Sequence, residues 1–465
     1  MSSASDRHTS NEYLPVPNPT TPYWRTDLHH LDSHRSTKDL PTKCDVLIIG
    51  AGISGVSVAY HLSQPDKNRD NSSTAPSILL LEARQVCSGA TGRNGGHVKV
   101  KTQTFFRSSQ SQTEIEEFSA FVGAHIDTFS DIVERERLDC EFELRRSYDV
   151  FLNEKDAASM RKAWDEHSAR REPWMKSRQL LDTNLAEAVS SVKDARLAFS
   201  SPVCSMWPYK FVTQLLARTM ERNPALNLQT ETPVLGVEYI QEGEDGSPET
   251  LVHTARGTVR AKKVVFATNA YTVGLLPQYK GVITPVKGTA AHLAPDALKG
   301  PVFPHLGHTY NLEFGINDRE TVDYLNPRPD GGIVVGGGKW LFEKDRHLWH
   351  NVVDDSTTFH AISDAKYFEG YMQRVFKGWD DSGTEVDKIW TGIMGGTPDG
   401  YPHAGQVPGR KNQWVLAGYN GGGMCLAFLL GKGVAEMVLH DLPFEETDGI
   451  IPRFFKTTEE RLRAK

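Results

Sequence analysis

Six residues near the start of the chain, Gly50-Ala51-Gly52-Ile53-Ser54-Gly55, have the types and spacing to hold a phosphate chain. The first glycine permits a tight turn. The second lets a pyrophosphate approach the backbone, and the third lets a helix pack closely on a strand. A helix starting here would turn unsatisfied amides and a partial positive charge toward the phosphates. Gly-rich turns are common, so the context of the motif decides its meaning. Cys44-Asp45-Val46-Leu47-Ile48-Ile49 in front of it is the β-branched run of a buried parallel strand, and residues 56–62 continue as an apolar-periodic helix. Ile78-Leu79-Leu80-Leu81 is a second buried strand, and it ends at Glu82, Ala83 and Arg84. A carboxylate at the end of that strand accepts both hydroxyls of a ribose. Glu82 comes 27 residues after Gly55, later than the usual spacing of roughly 20. The polar loop 63–77 accounts for the excess. Strand, Gly turn, helix, loop and strand make one βαβ unit, and this unit serves NAD, NADP and FAD alike.

Two further segments bear on that choice. The run 87–97, Cys-Ser-Gly-Ala-Thr-Gly-Arg-Asn-Gly-Gly-His, follows Glu82 and is rich in small residues. It suits a backbone lying against a flat ring and an extended phosphate chain. Gly418-Tyr419-Asn420-Gly421-Gly422-Gly423-Met424 opens the last apolar helix. A helix N-terminus there would stabilise the negative charge of a reduced flavin at its pyrimidine end. No second strand–G-x-G-x-x-G–helix unit follows, so a separate nicotinamide domain is not expected. The pattern favours a flavoprotein reduced by its own organic substrate.

On these residues the chain resembles the FAD-dependent amine and amino-acid oxidoreductases of the D-amino-acid oxidase superfamily. The resemblance is strongest to the γ-glutamylputrescine oxidase-like branch and its fungal-type relatives. The segments that carry it are 45–55, 81–84, 87–97, 267–271, 390–400 (Trp-Thr-Gly-Ile-Met-Gly-Gly-Thr-Pro-Asp-Gly) and 418–424. The resemblance implies that Gly50, Ala51, Gly52, Ile53, Ser54 and Gly55 hold the pyrophosphate. It places Glu82, Ala83 and Arg84 at the adenosine, and Val234 against the adenine through its backbone. Thr91, Gly92, Arg93, Asn94, Gly95 and Gly96 would line the isoalloxazine. Thr268 and Asn269 would close under the pyrophosphate. Asp399, with Asn420, Gly421, Gly422, Gly423 and Met424, would surround the ribityl chain and the pyrimidine end of the ring. The chain has Gly422 where the branch often has His, which removes one polar group near the flavin. Cys425 and His97 are the nearest candidates for a covalent tether, and non-covalent FAD is the expectation.

The implied reaction is hydride transfer from the carbon bearing a neutral amine to the flavin, followed by imine hydrolysis. The protein then supplies mainly position and electrostatics. Four residues are candidates for direct roles. His97 could place a proton or a substrate carboxylate, or simply bond a backbone carbonyl. Arg93 could neutralise reduced flavin or brace the cofactor loop. Tyr324, with Trp340, could form an aromatic amine cage or pack in the core. Lys287 could help oxygen accept electrons, or be a solvated lysine at a strand end. The partners expected are a small amine or amino acid and molecular oxygen or another electron acceptor. A dehydrogenase or a tailoring enzyme with a different acceptor, and a flavin-binding sensor without turnover, stay open.

Elements of two kinds must position these groups. The expected fold class is α/β, a Rossmann-like FAD-binding domain (a GR2-type flavoprotein) with an antiparallel-sheet α+β substrate domain. The FAD domain is expected from 41–105, 201–280 and 386–445. The substrate domain is expected from 106–200 and 281–385. Residues 1–40 read as a polar, Pro-containing arm over the surface, and 446–465 as a C-terminal tail. Residues 114–137 and 154–193 read as charged amphipathic helices. The 465 residues are 38% hydrophobic and 24% charged, which excludes a disordered or collagenous chain. A net charge of −7 gives no basic field for nucleic acid. Five scattered cysteines (Cys44, Cys87, Cys140, Cys204, Cys425) predict no disulfide framework. The pairs His305/His308 and His347/His350 lack a third ligand, so no metal is expected. The longest apolar stretch, 424–439, is broken by Lys432 and Glu436, and the first residues lack a signal-type apolar core. The expectation is a cytoplasmic protein with no membrane partner. Asn71-Ser72-Ser73 is read as a chance sequon.

Overall fold

The computed structural model describes residues 12–65, 76–243, 246–296, 298–315, 321–447 and 451–464; the sequon at 71–73 lies outside them. Among the described residues the strands assemble into two sheets. The first runs His403–Gln406, Gln413–Ala417, Gly257–Phe266, Lys43–Ile49, Ile78–Leu81, Leu226–Gln229. All neighbours in this order are parallel except the antiparallel edge pair His403–Gln406 with Gln413–Ala417. A hairpin, Val234–Ile240 and Glu249–Thr254, adds on to Gly257–Phe266. Parallel strands covered on both faces must be apolar along their length, and Ile78–Leu81 is buried at all four positions.

Register decides where this sheet delivers its loops. Ile49 stands opposite both Leu81 and Phe266. Gly50, Glu82 and Ala267, each the next residue, therefore leave the sheet at one edge. The chain passes from Lys43–Ile49 to Ile78–Leu81 on one side, while Gly257–Phe266 pairs on the other. Such a reversal opens a crevice at the carboxyl ends of the strands, the usual binding place in open α/β sheets. The helix Ile53–Leu62 packs against Ala427–His440. A Cβ on Gly431 would lie 2.4 Å from Ser57 Oγ, and Ser57 Oγ donates to the Phe428 carbonyl at 2.6 Å.

The second sheet runs Glu385–Gly396, Thr284–Ala294, Ile333–Gly336, Val322–Pro327, Thr309–Glu313, Glu143–Phe151, Leu197–Ser205, His97–Val98, with Gln179–Leu181 beside Leu197–Ser205. It is antiparallel except where Thr309–Glu313 meets Glu143–Phe151 in parallel. The helix Gln112–Glu136 starts with a capping box between Ser111 and Glu114. The stretch expected as one helix over 154–193 is broken. It forms Glu154–Ala169, a short 3-10 turn Pro173–Ser177, the strand Gln179–Leu181 and the helix Thr183–Ser190. Pro173 cannot continue a helix, and the edge of Leu197–Ser205 offers hydrogen bonds to the segment after it.

The amino-terminal arm also departs from expectation. Tyr23, Trp24 and Leu31 are buried, Trp24 completely. The Trp24 indole donates to the Asn94 carbonyl at 2.6 Å, and a Cβ on Gly96 would lie 2.7 Å from its ring. Arg25 donates to the Val86 carbonyl at 2.8 Å. The arm thus buttresses the Gly-rich run 87–97, because a large ring removes more apolar area from water than a polar segment loses by being ordered. Among the described residues no helix is long and apolar enough to cross a membrane.

Candidate active site

A cavity of about 530 Å³ connects the loops of the first sheet to the face of the second. At the first-sheet end, Gly50 has φ +105° and a Cβ there would lie 2.6 Å from the Ala267 carbonyl. A Cβ on Gly55 would lie 1.9 Å from the Gly50 carbonyl, so helix and strand approach as only glycine allows. The helix Ile53–Leu62 begins directly after Gly52, and its first amides lack intrahelical acceptors. One of them, Ile53 N, donates to Thr91 Oγ1 at 3.1 Å, which docks the second Gly-rich segment on the first. Glu82 is anchored by the amides of Ala51 at 2.8 Å and Arg84 at 2.9 Å, one to each carboxylate oxygen. Each oxygen keeps a further lone pair for a hydroxyl. A positive-φ glycine turn, a helix N-terminus and a held carboxylate at one strand edge fit a dinucleotide.

Most of the residues expected at the cofactor meet in this cavity. Gly50, Gly52, Ile53, Ser54, Glu82, Ala83, Arg84, Thr91, Arg93, Asn94, Gly95, Val234, Thr268, Asn269, Asn420, Gly421, Gly422, Gly423 and Met424 all line it. Asn269 Oδ1 accepts from the Gly418 amide at 3.0 Å, so the segment after Gly257–Phe266 orients the last Gly-rich run. Ala51, Gly55, Gly92 and Gly96 do not belong to the lining and act on the backbone behind it. Asp399 is also outside the lining: its carboxylate accepts from Arg461 Nε at 2.8 Å. Cys425 Sγ donates to the Gly422 carbonyl at 3.0 Å, and burial pushes its thiol up to about 12.

Arg84 and Arg93 share one buried partner that the sequence reading missed. Arg84 Nη1 lies 2.9 Å from Asp355 Oδ1, and Arg93 Nε lies 3.4 Å from Asp355 Oδ2. Arg93 also donates to the carbonyls of Ser88 at 2.8 Å and Thr391 at 2.7 Å. Its guanidinium therefore braces the run 87–97 against the strand Glu385–Gly396. Burial lowers its pKa to about 10, with Asp355 opposing. Asp354-Asp355-Ser356 reads as a solvated turn, so no sequence signal marks Asp355.

At the second-sheet end stand His97, Tyr324 and Lys287, all lining the cavity. The His97 and Tyr324 rings meet edge to face, 5.3 Å between centroids. Tyr324 covers Gly95 and Gly336, where a Cβ would lie 2.6 and 2.1 Å from its ring. His97 Nδ1 is buried with no hydrogen-bond partner among the described residues, and burial holds the imidazole well below its ordinary pKa. Lys287 is no strand-end lysine. It pairs with Ile393 in mid-strand and is only 6% exposed. Its ammonium donates to Thr357 Oγ1 at 3.0 Å and has a lowered pKa from burial, opposed by Asp354 and Asp355. Trp340 packs on Phe314 and Tyr367 and lies outside the lining, so it forms no cage with Tyr324. The sequence reading also missed Lys99 and Lys339, which line this end. Lys99 follows the short strand His97–Val98, two residues after His97, and that spacing was the available signal. Among the described residues no group of three or more His, Cys, Asp or Glu side chains is placed to hold a metal.

Comparison with known proteins is consistent with this geometry. The family described as "DAO: FAD dependent oxidoreductase" matches residues 45–437. Glycine oxidase of Bacillus subtilis is 24% identical over 85% of this chain and 93% of its own length. Gamma-glutamylputrescine oxidoreductase of Escherichia coli is 21% identical over 93% of this chain and 90% of its own. The crystal structure of glycine oxidase from Geobacillus kaustophilus superposes with a TM-score of 0.67 at 19% identity, covering 90% of this chain and 99% of that one.

Proposed function

The chain belongs to the FAD-dependent oxidoreductase family, and from that premise we propose that it oxidises a C–N bond of a small amine or amino acid with oxygen as the electron acceptor. The observation that carries the reading is one continuous cavity. It joins the dinucleotide-type groups Gly50, Gly52 and Glu82 to the second-sheet residues His97, Lys287 and Tyr324. The two relatives named above, a glycine oxidase and a gamma-glutamylputrescine oxidoreductase, support the amine or amino-acid class. Bound FAD supplies the hydride acceptor and returns the electrons to oxygen, giving hydrogen peroxide.

The chain's own residues do the rest. The turn at Gly50 and Gly52 and the first amides of Ile53–Leu62 would hold the pyrophosphate, and Glu82 would hold the ribose. Residues 420–424 line the cavity just before Ala427–His440 and would face the pyrimidine end of a bound ring, where the helix N-terminus would favour negative charge. Neutral His97 and Tyr324 flank the place for the substrate amine. Lys287 provides a buried cation that favours electron transfer to oxygen. Non-covalent FAD is part of this reading, the Cys425 thiol being engaged by the Gly422 carbonyl.

The test is to purify the protein, record its visible spectrum, and add a panel of amines and amino acids anaerobically before admitting air. Flavin bands that bleach with one substrate and return in air with peroxide establish the oxidase. Bleaching that air does not reverse points to a dehydrogenase with another acceptor. Bound flavin that no amine bleaches would favour a non-catalytic sensor. A colourless protein that takes up no FAD would overturn the reading.

A further inference from the structure

We propose that arm residues 13–20 are part of the cofactor site: Tyr13, Leu14 and Pro15 wall off its adenosine end, and Val16 and Thr20 latch that wall in place. The inference rests on the reading of the chain as an FAD enzyme. It adds a wall from outside the matched family span, which begins at residue 45.

The first observation is placement. Tyr13, Leu14 and Pro15 line the same cavity as Glu82, Arg84 and Val234, and all three are half-buried. Tyr13 packs against the apolar cluster of the first sheet that contains Ile49, Leu81, Val234 and Leu275. Ile49 and Leu81 end their strands, so Tyr13 stands at the edge where Glu82 is held. A purine offers two apolar faces, and such a ligand is enclosed by apolar side chains with a few placed polar groups. Val234 and Leu275 supply part of that enclosure from the first sheet and its loops, and the arm supplies the rest. Glu82 would take the ribose.

The second observation is the way the arm is fastened. Arg84 Nη1 donates to the Val16 carbonyl at 3.2 Å, while the Asp355 carboxylate holds the same guanidinium. Thr20 Oγ1 accepts from Arg93 Nη1 at 3.1 Å and from the Thr391 amide at 3.0 Å, and it donates to the Asp355 carbonyl at 3.0 Å. Those three bonds use both lone pairs and the proton of one hydroxyl. The Thr20 amide donates to the Asp355 carbonyl as well, at 2.8 Å. The arm is thus tied to Arg84 and Arg93, the two arginines that the cofactor loops bring to the cavity.

The segment between wall and latch is stiff. Pro15, Pro17 and Pro19 alternate with Val16 and Asn18. Each proline fixes its own φ and keeps the residue before it extended. Such a segment loses little conformational entropy when it closes, and fixing Val16 and Thr20 therefore fixes Tyr13, Leu14 and Pro15. The wall acts on one half of the cofactor. FAD dissociates only after the arm has lifted, whereas FMN, which has no adenosine, does not meet the arm.

The experiment uses the full-length protein, native and with two changes: Tyr13→Ala combined with Leu14→Ala, and Pro17→Gly, at an exposed position outside the cavity lining. Each is loaded with FAD, and release is followed as the rise in flavin fluorescence on dilution. Release should be about tenfold faster in the double variant, which loses apolar cover. It should be roughly threefold faster in Pro17→Gly, which only loosens the segment. Titrated into the flavin-free proteins, ADP should bind more weakly to both variants and FMN equally well to all. In the native chain, chymotrypsin cutting after Tyr13, read by product mass, should be slowed by FAD and by ADP but not by FMN. Release from the double variant at the native rate, or FMN affinity that falls as far as that of FAD, would overturn the wall and leave the flavoprotein reading intact. Equal cutting after Tyr13 with and without ADP would do the same. A native protein that takes up no flavin while ADP still protects Tyr13 would overturn the flavin reading and leave the adenosine wall standing. If the double variant does not fold, Pro17→Gly and the cutting of the native chain decide.

Discussion

Asp323, completely buried just before Tyr324 in sequence, accepts from the hydroxyls of Tyr367 and Tyr371, each at 2.6 Å, and from the Gly338 amide at 2.9 Å. Burial still pushes its pKa up to about 6 against those donors. An unfolded carboxyl titrates near 4, so between about pH 4 and 6 the native chain holds a proton that the unfolded chain lacks. Stability from this group is full below about pH 4 and is lost as pH rises through 6, by of order 2–3 kcal/mol. Melting temperatures of the native protein and Asp323→Asn across this range should show the native advantage shrinking as pH rises; a constant difference would rule the effect out. Lys287 is the residue to test for the oxygen step. In Lys287→Met, stopped-flow reoxidation of the reduced enzyme by air should slow about 100-fold, with anaerobic reduction by amine affected less. Equal losses in both half-reactions would assign Lys287 to substrate binding instead. At this scale the glycines were legible because backbone sterics act locally. Lys99 and Asp355 were not, because a charge acquires its role from what burial places beside it.

Among the elements, the βαβ unit was readable because the apolar runs, the glycine turn and Glu82 are contiguous signals. The capping box of Gln112–Glu136 is equally local. The arm was not readable: one tryptophan in a polar stretch has no periodicity, and its place under Gly96 exists only after the run 87–97 has folded. Trp24→Ala removes a completely buried indole and its hydrogen bond to Asn94. It should cost about 3–5 kcal/mol in thermal unfolding and speed FAD loss on dialysis. Lower stability with unchanged FAD retention would limit the arm to a packing role.

On the scale of the whole molecule, Asp355 ties together the arm, the cofactor loops and the second sheet. It holds Arg84 and Arg93 by its carboxylate, and its carbonyl accepts from the Thr20 amide at 2.8 Å. Asp355→Asn would leave two buried guanidinium groups without their counter-charge, at a cost of about 3–5 kcal/mol. Added FAD should recover part of that loss by mass action, read as a larger FAD-induced rise in melting temperature than the native protein shows. An equal rise in both would place Asp355 outside the coupling to the cofactor loops. The sequence by itself determined the family, the cofactor class and the parallel core. Each follows from residues close along the chain whose backbone geometry and hydrophobic period leave few alternatives. Only the tertiary structure decided which cations are neutralised, that Trp340 and Asp399 stand apart from the cavity, and that Lys99 faces it beside an unpartnered His97. Those are relations between residues tens to hundreds of positions apart, set by sheet register and burial, and no local pattern records them.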